Sequence, residues 1–185
     1  ESVVPFLMTY PFFRIWCAGC STGEEAYSLA ILLTEEDLLE RCQIYATDMN
    51  EAVLKKAKGG IYHLSQMKEY TRNYLAAGGK QAFSDYYTSA YDNAIFDPGL
   101  KKKIVWAQHN LVTDASFNEF HVIVCRNVMI YFNKVLQDQV HRLFYDSLVR
   151  QGVLGLGEKE TIRFSPHEKQ YEEMAVGRKL YRKVS

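Results

Sequence analysis

The chain is expected to fold as an α/β domain around a mostly parallel, doubly wound sheet, and three observations predict this. Short apolar runs without alternation recur along the chain, as in Ile15-Trp16-Cys17-Ala18 and Val122-Ile123-Val124-Cys125; strands covered on both faces read this way. Ala26, Leu29, Ala30 and Leu33 are spaced i, i+3, i+4 and i+7, the buried stripe of a packed helix. Strand and helix then alternate, which is the pattern of parallel strands joined by crossover helices.

Taken in order, residues 1–13 are apolar and broken by Pro5 and Pro11. Broken in this way, they read as the end of a preceding helix plus a linker, not as an independent unit. The first strand ends at Gly19, and the turn to Gly23 leads into a helix that Ser21 or Thr22 is expected to cap. Thr34 to Arg41 is acidic and marks an exposed helix end or loop. Gln43 to Thr47 is a second strand ending in Asp48-Met49-Asn50. Asn50 caps a helix with Val53, Leu54 and Ala57 facing inward, and Gly59-Gly60 stops it.

Ile61 to Lys102 breaks the alternation and is rich in tyrosine: Tyr62, Tyr70, Tyr74, Tyr86, Tyr87 and Tyr91. One helix is expected from Glu69 to Ala77, with short antiparallel strands between Ala82 and Ile95. Some forty residues is long for a connection, so an inserted subdomain is expected at about 80–103. The tyrosines suit either a protein-binding surface or packing onto the sheet.

Lys103 to Gln108 returns to strand, and Val122 to Cys125 is the most apolar strand of all. A helix follows from an Asn133 cap to about Val149, with Leu136, Val140, Leu143, Phe144 and Leu148 inward. Gly152 is expected to stop it before a strand at Val153 to Gly157, and the tail around Tyr171 and Lys179 to Val184 supplies one or two closing strands.

At 185 residues and 48% apolar, the chain suits one domain with a sizeable core. Lys plus Arg and Asp plus Glu both number 22, so the net charge is zero and no electrostatic case exists for nucleic acid or an anionic membrane. No apolar run approaches the roughly 20 residues of a membrane span. Cys17 and Cys20 form a Cys-x-x-Cys, but no second ligand pair accompanies it, and the five histidines show no metal spacing. The cysteines read as reduced thiols beside strands, which fits a cytoplasmic protein.

Ligands of doubly wound sheets bind beyond the carboxyl ends of the strands. The turn here reads Gly19-Cys20-Ser21-Thr22-Gly23 and not Gly-x-Gly-x-x-Gly, and it runs into Glu24-Glu25. Two carboxylates at a helix start repel a phosphate but tolerate a cationic nucleoside. The chemistry therefore favours S-adenosylmethionine over a dinucleotide. Asp48, at the end of the second strand, is placed to accept both ribose hydroxyls.

Three stretches together resemble the CheR family of chemotaxis-receptor glutamate methyltransferases: Arg14 to Ala30, with Ala-Gly-Cys-Ser-Thr-Gly-Glu-Glu; Tyr45 to Tyr62, with Ala-Thr-Asp-Met-Asn; and Cys125 to Phe132, Cys-Arg-Asn-Val-Met-Ile-Tyr-Phe. The resemblance implies a Rossmann-like methyltransferase domain over residues 14–185, carrying a small inserted antiparallel β-subdomain. It implies S-adenosylmethionine as donor, with S-adenosylhomocysteine as product, and glutamate side chains of chemoreceptors as acceptors. It places Ala18, Gly19, Glu24 (with Glu25), Asp48, Met49, Asn110, Leu111, Arg126 and Asn127 at the donor site. Arg126 and Tyr131 are implied to orient the acceptor or the donor's methionine end. The partner implied is the cytoplasmic helices of chemoreceptors, met through the inserted subdomain by a monomer. His121 stands where the family has Asp, and Gly157-Glu158-Lys159-Glu160 where it has Gly-His-Ser-Glu. The resemblance also implies a helical domain ahead of this one, where this sequence has only residues 1–13. A non-catalytic signalling module of the same fold is the alternative, and a nicotinamide oxidoreductase is disfavoured by Glu24 and Glu25.

Overall fold

Alternate residues of β1 (Phe13–Ala18) face opposite sides of one sheet, and this divides the core in two. Phe13, Ile15 and Cys17 join one apolar cluster, and Trp16 and Ala18 join the other. The structure, a computed structural model, describes residues 2–185. β2 (Cys42–Asp48), β6 (Ile104–Gln108), β7 (Phe120–Cys125) and β8 (Leu148–Leu156) run parallel to β1. β10 (Leu180–Lys183) lies antiparallel beside β8, and β9 (Tyr171–Ala175) closes that edge. The order β6-β2-β1-β7-β8-β10-β9 puts the topological switch point between β1 and β7.

Helix α2 (Glu24–Glu35) covers one face through Ala26, Tyr27, Ala30, Ile31 and Leu33. Helix α6 (Lys134–Ser147) covers the other through Val140, Leu143 and Phe144. Between them Trp16 is fully buried, its indole N–H donating to Thr47 Oγ1 at 2.8 Å. Short helix α1 (Val4–Met8) packs Leu7 onto the α2 side. Helix α3 (Glu51–Gly59) starts as expected, Asn50 accepting from the Ala52 amide, and ends at Gly60 with φ 62°.

Several expectations need correction. Neither Ser21 nor Thr22 caps α2: Gly23, at φ 97°, is the cap residue, and the Thr22 hydroxyl donates to the Glu24 carboxylate instead. Helix α4 runs from Leu64 to Ala76, earlier than Glu69, because His63 Nδ1 accepts from the Ser65 amide and starts it. Helix α6 gives way to β8 directly at Leu148. Gly152 lies inside that strand, where the register against β7 shifts and Gln151 takes φ 66°.

A second sheet has the order β3-β5-β4, from Ile61–His63 (β3), Tyr87–Ala90 (β4) and Asn93–Phe96 (β5), with short helix α5 (Pro98–Lys102) returning to β6. It draws β3 from ahead of α4, outside 80–103, because all three strands are antiparallel and β5 pairs with both others. Most of its tyrosines pack. Tyr62 and Tyr86 are buried, Tyr27 stacks on Phe96 at 4.7 Å, and only Tyr91, at the hairpin tip, is fully open at 99%. Glu35, at the end of α2, accepts from the hydroxyls of Tyr74 and Tyr86 and from the Lys80 amide, fastening the small sheet to the main one.

Candidate functional site

Three loops meet at the switch point, after β1, β2 and β7. The β1–α2 turn has its amides committed inward. Gly19 and Cys20 both donate to Thr47 O (2.8 and 2.9 Å), Ser21 donates to Asp48 Oδ2 (2.9 Å), and Gly23 donates to Cys20 O (3.0 Å). A phosphate cradle needs such amides free and convergent, so this turn is poorly built for a pyrophosphate. The glycines serve packing: a Cβ on Gly19 (φ 74°) would run into Val128, and one on Gly23 would lie 2.9 Å from both Ala57 and Trp106.

The two acidic residues that open α2 diverge. Glu24 accepts from Thr22 Oγ1 and, at 3.3 Å, from the Tyr70 hydroxyl, so it faces the small sheet. There it lines a cleft of about 400 Å³ with Lys55, Lys56, Tyr62 and His63. Glu25 points the other way, over the strand ends. It accepts from the Cys17 thiol at 3.1 Å and meets Arg126 Nη1 at 3.5 Å. Burial raises its carboxyl above the ordinary value against the opposing pull of Cys17 and Arg126. The sequence set Glu24 at the donor site with Glu25 as its possible companion; the structure reverses the emphasis, because adjacent helical residues face about 100° apart and Glu24 is turned to Thr22 and Tyr70 while Glu25 lies over the strand ends.

Asp48 ends β2 with one oxygen on the Ser21 amide and the other on the Asn50 amide, each at 2.9 Å. A carboxylate has about four acceptor sites, so two stay available for hydroxyls. Met49 beside it is 64% exposed. Asn110 Oδ1 accepts from its own turn, at the Val112 amide, while its N–H goes to Asp114; Leu111 is buried in the α6-side core. Ala18 is likewise buried, so its contribution at the strand end is backbone. Charge at these strand ends comes from Glu25, Asp48 and Arg126.

After β7, Arg126 is about half exposed, Asn127 takes φ 60°, and Tyr131 is 81% exposed on the turn Met129–Tyr131. Sequence reasoning did not foresee that Glu160, only 4% exposed, reaches under this loop. Burial first, and neighbouring carboxylates second, push the Cys17 and Cys125 thiols well up and Cys20 to about 12, which disfavours the nucleophilic thiolate. Glu25 beside the Arg126 guanidinium after β1 and β7, and Asp48 at the end of β2, put two acids along the sheet's carboxyl edge, a setting for a cationic ligand with hydroxyls.

Residues 2–178 match the family described as CheR methyltransferase, SAM binding domain. The chain is 51% identical over 183 residues to the Pseudomonas putida protein named Cher3, covering 99% of this chain and 67% of that one. It is 38% identical over 149 residues to a Listeria innocua chemotaxis protein methyltransferase (80% of this chain, 54% of the relative). To the Escherichia coli chemotaxis protein methyltransferase it is 32% identical over 164 residues (86% and 55%). It therefore spans two thirds of the first relative and about half of the other two. Among solved structures, the glycopeptide N-methyltransferase MtfA complexed with sinefungin matches with TM-score 0.50 at 11% identity, over 84% of this chain and 48% of that one. The DszA carbon methyltransferase also matches at 0.50, with 16% identity, over 83% and 30%. Both are likenesses of fold.

Proposed function

The chain belongs to the CheR methyltransferase family, whose domain binds S-adenosylmethionine, and from that premise we propose that it methylates glutamate side chains of chemoreceptors to form methyl esters. The observation that supports this most is the set at the switch point: Glu25, Asp48 and Arg126 around strand ends whose turn amides are already used. Asp48 holds the two ribose hydroxyls with its spare lone pairs. Glu25 holds the ammonium of the methionine end, and Met49 and the Asn110-Leu111 backbone border the adenine.

When bound, S-adenosylmethionine supplies an electrophilic methyl on a positively charged sulfur. A glutamate acceptor has a reference pKa of about 4.3 and is anionic at neutral pH, so no general base is required. What the protein contributes is placement, because an aligned carboxylate at roughly 3 Å gains most of the available rate. Arg126 orients that carboxylate by charge-assisted hydrogen bonds, and the exposed Tyr131 hydroxyl donates a further one. The three-stranded sheet, whose β4 is an edge strand, is the surface for the receptor, in a cytoplasmic monomer.

Titration of the full-length protein with S-adenosylhomocysteine, followed by methyl transfer to purified receptor, tests the proposal. Saturable binding with alkali-labile methyl incorporation is expected. Binding without any transfer would reject catalysis, and absence of binding would reject the donor site itself.

A further inference from the structure

We propose that Glu160 is a positioning residue, whose buried carboxylate sets the Arg126–Tyr131 loop over the strand ends and thereby places both side chains for the transfer. The proposal rests on the functional reading above and adds a residue that never touches donor or acceptor. The geometry is specific. Glu160 Oε1 accepts from the amides of Val128 (2.9 Å) and Met129 (2.8 Å), and Oε2 accepts from those of Asn127 (3.1 Å) and Gly157 (2.7 Å). Four backbone donors thus converge on one carboxylate that is 4% exposed. Three of them are consecutive, which extended backbone does not allow; Val128 and Met129 open the short helical turn Met129–Tyr131, whose first amides are free to converge on an anion. Asn127 at φ 60° makes the turn that points them the same way.

The surroundings leave room for nothing else. A Cβ on Gly157 would lie 2.6 Å from Glu160 Oε2 and 3.0 Å from the Asn127 amide. Val128 is in turn wedged against Gly19, so the loop is trapped between the β1 turn and the end of β8. Arg126 stands one residue before the first clamped amide and Tyr131 two after the last. The carboxylate sets the backbone from which both side chains project, and Gln137 Nε2, donating to Met129 O at 3.0 Å and Phe132 O at 3.1 Å, holds the far end of the loop. Charged acceptors make the stronger hydrogen bonds, and removing one strands its buried donors. A misplacement of about 1 Å in a reacting group costs about a hundredfold in rate.

The test uses the full-length protein, with Glu160→Gln and Glu160→Asp set beside Glu158→Gln, an exposed neighbour. In wild type, the amide protons of Asn127, Val128, Met129 and Gly157 should resonate downfield and resist exchange. With Glu160→Gln, kcat should fall about a hundredfold while the receptor KM and the circular dichroism change little; Glu158→Gln should match wild type. Glu160→Asp, keeping the charge on a shorter arm, should recover part of the loss. If Glu160→Gln does not fold, Glu160→Asp decides: its four amide shifts and kcat should move together, and altered shifts with unchanged kcat would overturn the proposal. So would freely exchanging wild-type amides, or wild-type kcat in a folded Glu160→Gln. A wild type that neither binds S-adenosylhomocysteine nor methylates receptor overturns the functional reading and this proposal with it, whereas an active wild type with indifferent variants overturns this proposal alone.

Discussion

Glu25 and Arg126, separated by 101 positions in the chain, meet at 3.5 Å across the point where the sheet reverses its strand order. Glu25 stands in the first turn of the helix that follows β1 and Arg126 in the loop that follows β7, so the pair exists only once the two strands are side by side. With Glu25 held above its ordinary pKa by burial, the pair is a place of opposing demands. A carboxyl whose folded value is raised binds its proton more tightly in the folded chain than in the unfolded one. Its ionisation therefore opposes folding once the pH passes the unfolded value of about 4.3.

From this, Glu25→Gln should raise the melting temperature of the ligand-free protein at pH 7, with the gain vanishing as the pH falls below the ordinary carboxylate range. The same variant should weaken S-adenosylmethionine binding. Calorimetry across pH checks both. A variant less stable than wild type at pH 7 would mean that the Arg126 contact outweighs the burial.

Asp48→Ala should weaken S-adenosylhomocysteine binding by about tenfold to a hundredfold, the loss of hydrogen bonds to a charged acceptor. Part of that comes from freeing the Ser21 and Asn50 amides it now accepts from. Unchanged affinity by isothermal titration would remove Asp48 from the ribose.

Tyr131→Phe deletes one hydroxyl from an 81% exposed ring and should leave stability and donor affinity as they are. The expected effect is a fall in kcat of about tenfold, one hydrogen bond in the transition state. Steady-state methylation at saturating donor measures it, and an unchanged kcat would assign Tyr131 to recognition alone.

Gly19→Ala should cost about 1–3 kcal/mol in urea unfolding, since φ 74° is unfavourable for alanine and Val128 occupies its Cβ position. Adding Val128→Ala should return part of that loss, the part due to collision and not to backbone. A double variant no better than the single would locate the whole cost in the dihedral angle.

Glu35→Ala should loosen the small sheet selectively, raising amide exchange over 74–87 while the donor affinity holds. Burial acts to raise the Glu35 carboxyl, but the hydrogen bonds from Tyr74, Lys80 and Tyr86 outweigh it and hold the group below its ordinary value. A depressed carboxyl stabilises above its unfolded value and loses that contribution as the pH falls through the folded one. Wild type should therefore show the same loosening only below the ordinary carboxylate range. Exchange that rises uniformly along the chain would refute a local role.

The central strands were legible because parallel strands covered on both faces must be apolar throughout, and Ile15 to Ala18 or Val122 to Cys125 admit little else. The Asn50 cap was legible because capping is a two-residue interaction. Less could be seen where the deciding partner is distant. Ile61–His63 joins the small sheet only through β5, some thirty residues on, and His63 starts α4 with a ring that is not a usual cap. Gly23 caps α2 without a side chain because Ala57 and Trp106 pack against it. In the site, Asp48 and Arg126 could be picked out by their place beyond strand ends. That Glu25 turns to the switch point while Glu24 turns away depends on Tyr70, and Glu160 acts on amides about thirty positions upstream.

The inserted segment meets helix α2 at both ends: Tyr62 of β3 and Tyr70 of α4 hold Thr22 and Glu24, and Tyr74 of α4 and Tyr86, just before β4, hold Glu35. Twelve residues at about 1.5 Å each make the helix a strut of roughly 18 Å. Glu25 rides on this rod, so its place over the strand ends is tied to contacts made by the insert at both ends of the helix. An engineer who swapped this insert for another would have to reproduce four phenol anchors, or accept a displaced carboxylate where the chemistry happens.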